Sequence, residues 1–355
     1  MDGRAFASPA GGVRRYVSEL YAALGALDPR LEVDAIGAAG SQTLPASCRP
    51  RHEWPSPPTN LGRHSAGLPM ALATGRYAVY HAPAYVAPTW GRVPVVLSVH
   101  DISYASRPEW YPYRRDPLRR WFYRQSVDRA RLILVPSTYT ADEVRRVYGV
   151  SSSRLRVVPL APSASFVTGR LVPPDERSRV LLHVGDLHAR RDLELAVAVL
   201  ARLAVGGAPW RLVLIGRDRG SLAGVREAAR AAGVGDRVDH LQTQTDQQLH
   251  AWYQRAWCLI YPSRYEGFGL PVAEALASGL PVVAADASSV PEVLSGAGAL
   301  FPPGDQQAAL AEVLSLEDPD IYADRQAAGR ARAGSLTWER TAQLTRAALD
   351  EAAGG

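Results

Sequence analysis

Residues 258–286, CLIYPSRYEGFGLPVAEALASGLPVVAAD, decide the fold. The apolar run CLIYPS (258–263) reads as a buried strand, 271–278 as a short helix, and PVVAAD (281–286) as the next strand. Strand, helix and strand in so short a stretch is the repeating unit of a parallel sheet. Glu266 follows the first strand, and Gly267-Phe268-Gly269 forms a flexible turn that lets backbone approach a ligand closely. Pro271 suits the first helical position, and Glu274 is expected within the first turn. Exposed amides at 269–272 form an anion site, and a carboxylate on either side accepts two hydrogen bonds from a sugar or ribose diol. Taken alone, acidic residues at a helix start are also what the helix dipole favours.

Outward from this segment the same rhythm continues. RVLLHVG (179–185), RLVLIG (211–216) and VDHL (238–241) read as strands, with helices expected over 192–204, 221–232 and 246–256. In the first half LEVDAI (31–36), YAVYHAP (77–83), VPVVLSVHD (93–101), RLILVPS (131–137) and LRVVPLA (155–161) are strand-like. Helical segments lie around 115–130 and 138–148, and another begins after Gly11-Gly12, where Val13, Tyr16, Val17, Leu20, Leu24 and Leu27 share a face. Two further helices close the chain, near 319–333 and 337–351.

The expected fold class is therefore α/β: two doubly wound, Rossmann-like parallel sheets facing each other across a cleft. The expected division is a first domain over 1–160 and a Pro/Ser-rich linker over 161–178. A second domain follows over 179–334, and a last helix in 335–355 packs back on the first domain. Only twelve residues precede Val13, and they are not strand-like. Either the opening strand is supplied elsewhere in the chain, or the chain starts downstream of it; the second is the favoured expectation.

Composition narrows the chemistry. The 355 residues are 47% hydrophobic and 21% charged, enough to bury two cores and unlike a disordered chain. All 40 basic residues are arginine, against 35 acidic ones, for a net charge of +5. Without lysine there is no Schiff-base or pyridoxal chemistry and no Walker-type phosphate loop. Any phosphate must be held by guanidinium groups, backbone amides or helix ends. Cys48 and Cys258 are far apart and belong to no zinc or disulfide pattern, so a reducing, cytoplasmic setting is expected. No apolar run reaches the ~18 residues needed to span a bilayer.

These motifs carry a resemblance. Glu266–Glu274 matches E-G-F-G-L-P-x-x-E, and Ala275–Ala284 matches A-x-x-x-G-x-P-V-x-A, the markers of retaining glycosyltransferases of family 4 with the GT-B fold. SSVPEV (288–293), VPSTYTADEV (135–144), SVHD (98–101) and GGVRRY (11–16) extend the likeness over nearly the whole chain, and it is closest to bacterial mannosyltransferase-like members.

The resemblance implies that 1–160 is the acceptor-side domain and 179–334 the nucleotide-sugar donor-binding domain, and that Glu266 binds hydroxyls of the donor hexose. Amides around Phe268, Gly269 and Leu270 would contact sugar and diphosphate, and Glu274 the ribose hydroxyls. The family's G-x-L-x-x-R-K-N clamp matches GDLHARRD (185–192), so Gly185, Arg190 and Arg191 would meet the diphosphate, with Arg191 in place of Lys and Asp192 in place of Asn. Arginine retains the charge and the two-pronged geometry. Two cations at a helix start oppose the dipole, which argues for an anion close by. Gly11 and Gly12 would admit the donor phosphate, and His100 would lie at the sugar and acceptor side. Asp101 would orient His100 or cap the next segment, and His81 is a weaker acceptor-side candidate.

The implied activity is metal-independent, retaining transfer of a hexosyl unit, mannosyl from GDP-mannose by subfamily likeness, from a nucleoside diphosphate sugar to an acceptor hydroxyl in polysaccharide or glycoconjugate biosynthesis. No cofactor is called for. Asp318-Pro319-Asp320 spells a metal-binding D-x-D but reads as a helix cap. The segment 113–131 interleaves arginines with Leu118, Trp121, Phe122 and Tyr123; it reads as a surface helix packed on its own domain, or as a peripheral membrane contact. The rival reading is a catalytically silent nucleotide-sugar-binding protein. A nicotinamide oxidoreductase lacks its G-x-G-x-x-G, and a nucleic-acid binder lacks a module signature.

Overall fold

The computed structural model describes residues 1–8, 11–38, 44–53, 55, 59–111, 116–167 and 171–354. The chain divides into unit 1, Met1–Leu160 with Trp338–Gly355, and unit 2, Ala161–Thr337.

In unit 1, β1 (Val33–Ile36) and β2 (Cys48–Arg51) form a parallel pair. β3 (Tyr80–Ala82), β4 (Val95–Ser98), β5 (Leu132–Val135) and β6 (Leu155–Val157) form a parallel sheet in that order. Asp2 bridges Ile36 in parallel, and its N–H donates to the His81 carbonyl at 3.3 Å. The first two residues therefore lie between β1 and β3, in the row where an opening strand was expected. A 3-10 turn (Gly3–Ala7) follows, and then α1 (Gly11–Leu27).

Alternate residues of β4 and β5 serve two cores. Val95, Leu97, Ile133 and Val135 pack with Leu68, Leu72 and Val144, whereas Val96, Leu132 and Leu134 pack with Ala348, Leu349 and Ala352 of the last helix, Trp338–Gly354. Strands covered on both faces read as unbroken apolar runs, which made them legible. The reading missed β2, whose charged, proline-containing CRPR is edge-like, and the segment α2 (Asn60–Gly62), π-helical Arg63–Gly67 and α3 (Leu68–Thr74). Among the others, α4 (Ser103–Ser106) is short, α5 (Pro117–Arg129) is capped by Asp116, and α6 (Thr138–Tyr148) runs from a Ser137 cap to left-handed Gly149.

Unit 2 holds β7 (Val180–Val184), β8 (Arg211–Ile215), β9 (Val238–Leu241), β10 (Cys258–Tyr261), β11 (Val282–Ala285) and β12 (Ala299–Phe301). They are all parallel, in the order β12-β11-β10-β7-β8-β9. Its helices are α7 (Leu193–Leu203), α8 (Leu222–Ala231), α9 (Asp246–Arg255), α10 (Leu270–Ala277), α11 (Val290–Leu294), α12 (Gln306–Ser315) and α13 (Pro319–Gly334). The chain runs from β7 outward through β8 and β9, then returns to β10 on the other side. The carboxyl ends of β7 and β10 thus flank the switch point at which such sheets bind ligands.

Three expectations change. α10 begins at Leu270, so Pro271 is its second residue and Glu274 its fifth, in the second turn rather than the first. Residues expected as linker are built into unit 2: Phe166 is fully buried edge-on to Tyr253, and Arg177 donates to the carbonyls of Val172, Tyr253, Ala256 and Gly279. The elements α11, β12 and α12 were not picked out. Asp318 accepts from the N–H groups of Asp320 and Ile321 and caps α13, as its sequence suggested.

Candidate functional site

The unit 2 site grows from two glycine-tight strand ends. Gly216, after β8, has φ +150°, and a Cβ there would fall 2.1 Å from the Gly185 carbonyl oxygen. Gly185, after β7, has φ +137°, and its Cβ would meet the Arg191 guanidinium at 3.1 Å. A 3-10 turn (Ala189–Arg191) and a left-handed Asp192 then lead into α7. This turn aims Arg191 back across the sheet.

Arg191 is buried, and its Nη1 donates to the Tyr261 hydroxyl, to Ser263 Oγ at 3.1 Å and to the Glu266 carboxylate. Tyr261 Oη donates to Glu266 Oε1 at 2.9 Å. The anion expected beside the two arginines is thus supplied, for Arg191, by Glu266 itself. The loops are also stitched together by Arg264, whose N–H donates to the Arg190 carbonyl at 2.8 Å and whose guanidinium pairs with Asp192 at 2.7 Å. Asp192, the residue in place of Asn, holds this contact.

Glu266 is fixed through its backbone as well. Its N–H donates to Ser288 Oγ at 2.8 Å, and its carbonyl accepts from Ser289 Oγ at 3.0 Å. Ser288 sits at φ +55°, a conformation costly for a non-glycine residue and retained here beside the site. Beneath Tyr261 lies His183, stacked at 5.5 Å. Burial, reinforced by the charge of Arg191, pushes the His183 pKa down to about 3, so the ring is a neutral platform.

Glu274 is buried on α10 and accepts from Tyr253 Oη at 2.9 Å. Gly269 starts this helix at φ +96°, Phe268 is buried, and Leu270 is half-buried. Pro271 has no N–H and the Val272 N–H donates to the Gly269 carbonyl at 2.9 Å, so the anion-binding amides anticipated over 269–272 are two fewer. Burial raises the pKa of Tyr261, and the charges of Arg191, Arg190 and Glu274 all act on it. Of the anticipated residues, Arg191 and Glu266 meet at this phenol by hydrogen bonds, whereas Arg190 and Glu274 act on it through their charges. Tyr261, Ser263, Ser288, Ser289, Arg264, His183 and Tyr253 escaped the sequence reading; the Ser pair stood in a quoted motif, but nothing in one dimension marked its partner.

The remaining candidates belong to unit 1. Gly11 and Gly12 open α1, exposed, with nothing within 4 Å of a Cβ built on either. His100 lies just past β4. Its Nε2 donates to the Pro83 carbonyl at 2.8 Å, and its ring meets Tyr16 edge-on at 4.6 Å. Because a carbonyl only accepts, Nε2 carries the proton and Nδ1 is an acceptor. Burial lowers the His100 pKa and keeps it neutral. Asp101 caps the turn at Ser103 through Oδ1, taking the second of its two anticipated roles. His81 is buried, with Tyr21 Oη 2.7 Å from Nδ1 and Ser98 Oγ 2.8 Å from Nε2; both ring nitrogens are used inside the unit, which gives it a packing role instead of an acceptor-side one. Tyr16, Ser98, His100, Leu134, Val158 and Leu160 line a small cavity at the strand ends.

Among the described residues no group of three His, Cys, Asp or Glu could hold a metal ion, and no helix is long and apolar enough to cross a membrane. In 113–131, Tyr113, Arg114 and Arg115 lie outside the described residues. On α5, Phe122 is buried, and the Tyr123 ring meets that of Tyr104 at 4.3 Å, tilted by 50°, while Leu118 and Trp121 are exposed.

Two parallel-sheet α/β units are the architecture of the GT-B fold. Residues 171–332 match the family model of glycosyl transferases group 1, and residues 10–161 that of glycosyltransferase family 4. The chain belongs to these family-4-like glycosyltransferases. O-antigen chain mannosyltransferase B of Escherichia coli is 28% identical over 287 residues, 78% of this chain and 75% of that protein. Among solved structures, sucrose-phosphate synthase of Thermosynechococcus elongatus superposes with a TM-score of 0.74 at 23% identity, covering 98% of this chain and 97% of its own. Anabaena HepE in complex with UDP and glucose gives 0.73 at 17%, covering 97% and 96%.

Proposed function

We propose that this glycosyltransferase takes a hexosyl unit, mannosyl from GDP-mannose, off a nucleoside diphosphate sugar and places it on an acceptor hydroxyl with retention at the anomeric carbon, without a metal. The observation that carries the reading is the convergence of Arg191 and Glu266 on Tyr261 at the ends of β7 and β10. The mannosyltransferase relative and the UDP- and glucose-bound HepE support the donor class.

Glu266 accepts from donor sugar hydroxyls, Glu274 accepts from the ribose diol, and Arg190, Arg191 and the first amides of α10 receive the diphosphate. As the anomeric C–O bond breaks, negative charge grows on the leaving phosphate, and these cations stabilise it. The acceptor oxygen forms the new C–O bond and its proton passes to the leaving phosphate, so no enzymic nucleophile enters. Gly11, Gly12 and His100 serve the same reaction from unit 1, with His100 Nδ1 accepting from a hydroxyl.

The protein works in the cytoplasm, and α5, with Leu118 and Trp121 exposed among Arg119, Arg120 and Arg124, rests on an anionic membrane surface. The direct test is a panel of nucleotide sugars scored by melting temperature and then by transfer. GDP-mannose is expected to raise the melting point most, by mass action. Transfer from it is expected to give a product whose anomeric configuration by NMR is that of the donor. Stabilisation without transfer or donor hydrolysis would instead identify the silent binder.

A further inference from the structure

We infer that Tyr253 is a positioning residue for the nucleotide ribose, acting through Glu274; this rests on the reading of Glu274 as the ribose-binding carboxylate. Tyr253 projects from α9, an element that contributes none of the residues anticipated for donor binding. It is fully buried, and its hydroxyl donates to Glu274 Oε2 at 2.9 Å. A carboxylate on a three-torsion side chain gains a diol's two hydrogen bonds only if its plane is already set. An O–H donor bound to one oxygen sets that plane at the cost of a single acceptor site out of about four.

The tyrosine is itself held from two sides. Its ring meets Phe166 edge-on at 5.6 Å, and its carbonyl accepts from Arg177 Nη1 at 3.0 Å. Arg177 also donates to the carbonyl of Ala256, one residue beyond α9, and to that of Gly279 just beyond α10. One guanidinium therefore pins the carboxyl ends of both helices, and the Tyr253–Glu274 bond spans between them. The hydroxyl is not required by packing alone, since a phenyl ring would keep the Phe166 contact. Its partner is a buried carboxylate in the second turn of α10.

The test is Tyr253→Phe in the full chain, with nucleoside diphosphate binding measured by calorimetry for the ribonucleotide and its 2′,3′-dideoxy counterpart. The ribonucleotide is expected to bind about 10-fold more weakly, as for a lost hydrogen bond to a charged group, while the dideoxy nucleotide changes far less. Discrimination between the two then collapses by the same factor. In a Glu274→Ala background the Tyr253→Phe change is expected to have no further effect on ribonucleotide affinity, a non-additivity that a purely structural role would not produce. If Glu274→Ala weakens ribonucleotide binding but Tyr253→Phe leaves the discrimination at its wild-type value, the inference is overturned and the reading of Glu274 stands. If Glu274→Ala changes nothing, both fall.

Discussion

Arg191 carries the consequence most open to test. Its guanidinium is buried against Glu266, Tyr261 and Ser263, so the cation is already oriented, and its charge is shared with a carboxylate. Arg191→Ala is expected to lower transfer about 100- to 1,000-fold, the usual loss for one charge-stabilising contact. Arg191→Lys keeps the charge without the fork and should recover part of that loss. A donor-consumption assay in which Arg191→Ala turns over like the unaltered protein would remove this residue from the mechanism. The sequence marked Arg191 and Glu266 separately, through their motifs. It did not mark the bond between them, because the two lie 75 positions apart in the chain and only the adjacency of β7 and β10 closes that gap.

At the scale of elements, α5 is divided between two environments. Phe122, Ser126 and Val127 are buried, and Ser126 Oγ accepts from the Ala87 N–H at 2.9 Å, so the inner face is committed to unit 1. Trp121, 45% exposed, and Leu118, 50% exposed, have no such commitment. Vesicles rich in anionic lipid are therefore expected to carry the protein upward in a flotation gradient, neutral vesicles much less, and Trp121→Glu to abolish the difference. Equal recovery with both lipids would count against the contact. Here the sequence was legible as far as the helix and its arginines. Which aromatics turned inward was not, because Phe122 and Trp121 are adjacent and the choice between them lies with the unit 1 surface on which α5 packs. The expected linker misled for a similar reason: proline and serine marked irregular backbone correctly, but Arg177 and Phe166 are drawn into unit 2 by carbonyls and rings distant in the chain.

For the whole molecule, buried neutral histidines set the response to acid. Burial is the leading cause in each, lowering the pKa to about 3 for His81 and His183 and to about 4 for His64. In the unfolded chain these rings titrate near 6.5, so between that value and the folded pKa the unfolded state binds more protons. Stability is therefore expected to be full above about pH 6.5 and to fall as the pH drops through that window, by up to about 1.4 kcal/mol per pH unit for each ring. Denaturant titrations at pH 7, 6 and 5 check this, and a midpoint that rises toward pH 5 would contradict it. His81 and His64 act within unit 1 and His183 within unit 2, so both units should weaken together.

The sequence by itself determined the α/β alternation, the absence of amine chemistry, the glycine-rich turn with its flanking carboxylates and the cap at Asp318. Each of these depends on residues within a turn or two of one another, or on composition. The tertiary structure alone decided that Arg191 meets Glu266, that two serines hold the Glu266 peptide, that Tyr253 reaches Glu274, and that His81 is spent on packing while His100 keeps an acceptor nitrogen. Those facts depend on which strands lie side by side, and strand order in a parallel sheet is fixed by the packing of covering helices, a cooperative outcome that no local pattern encodes.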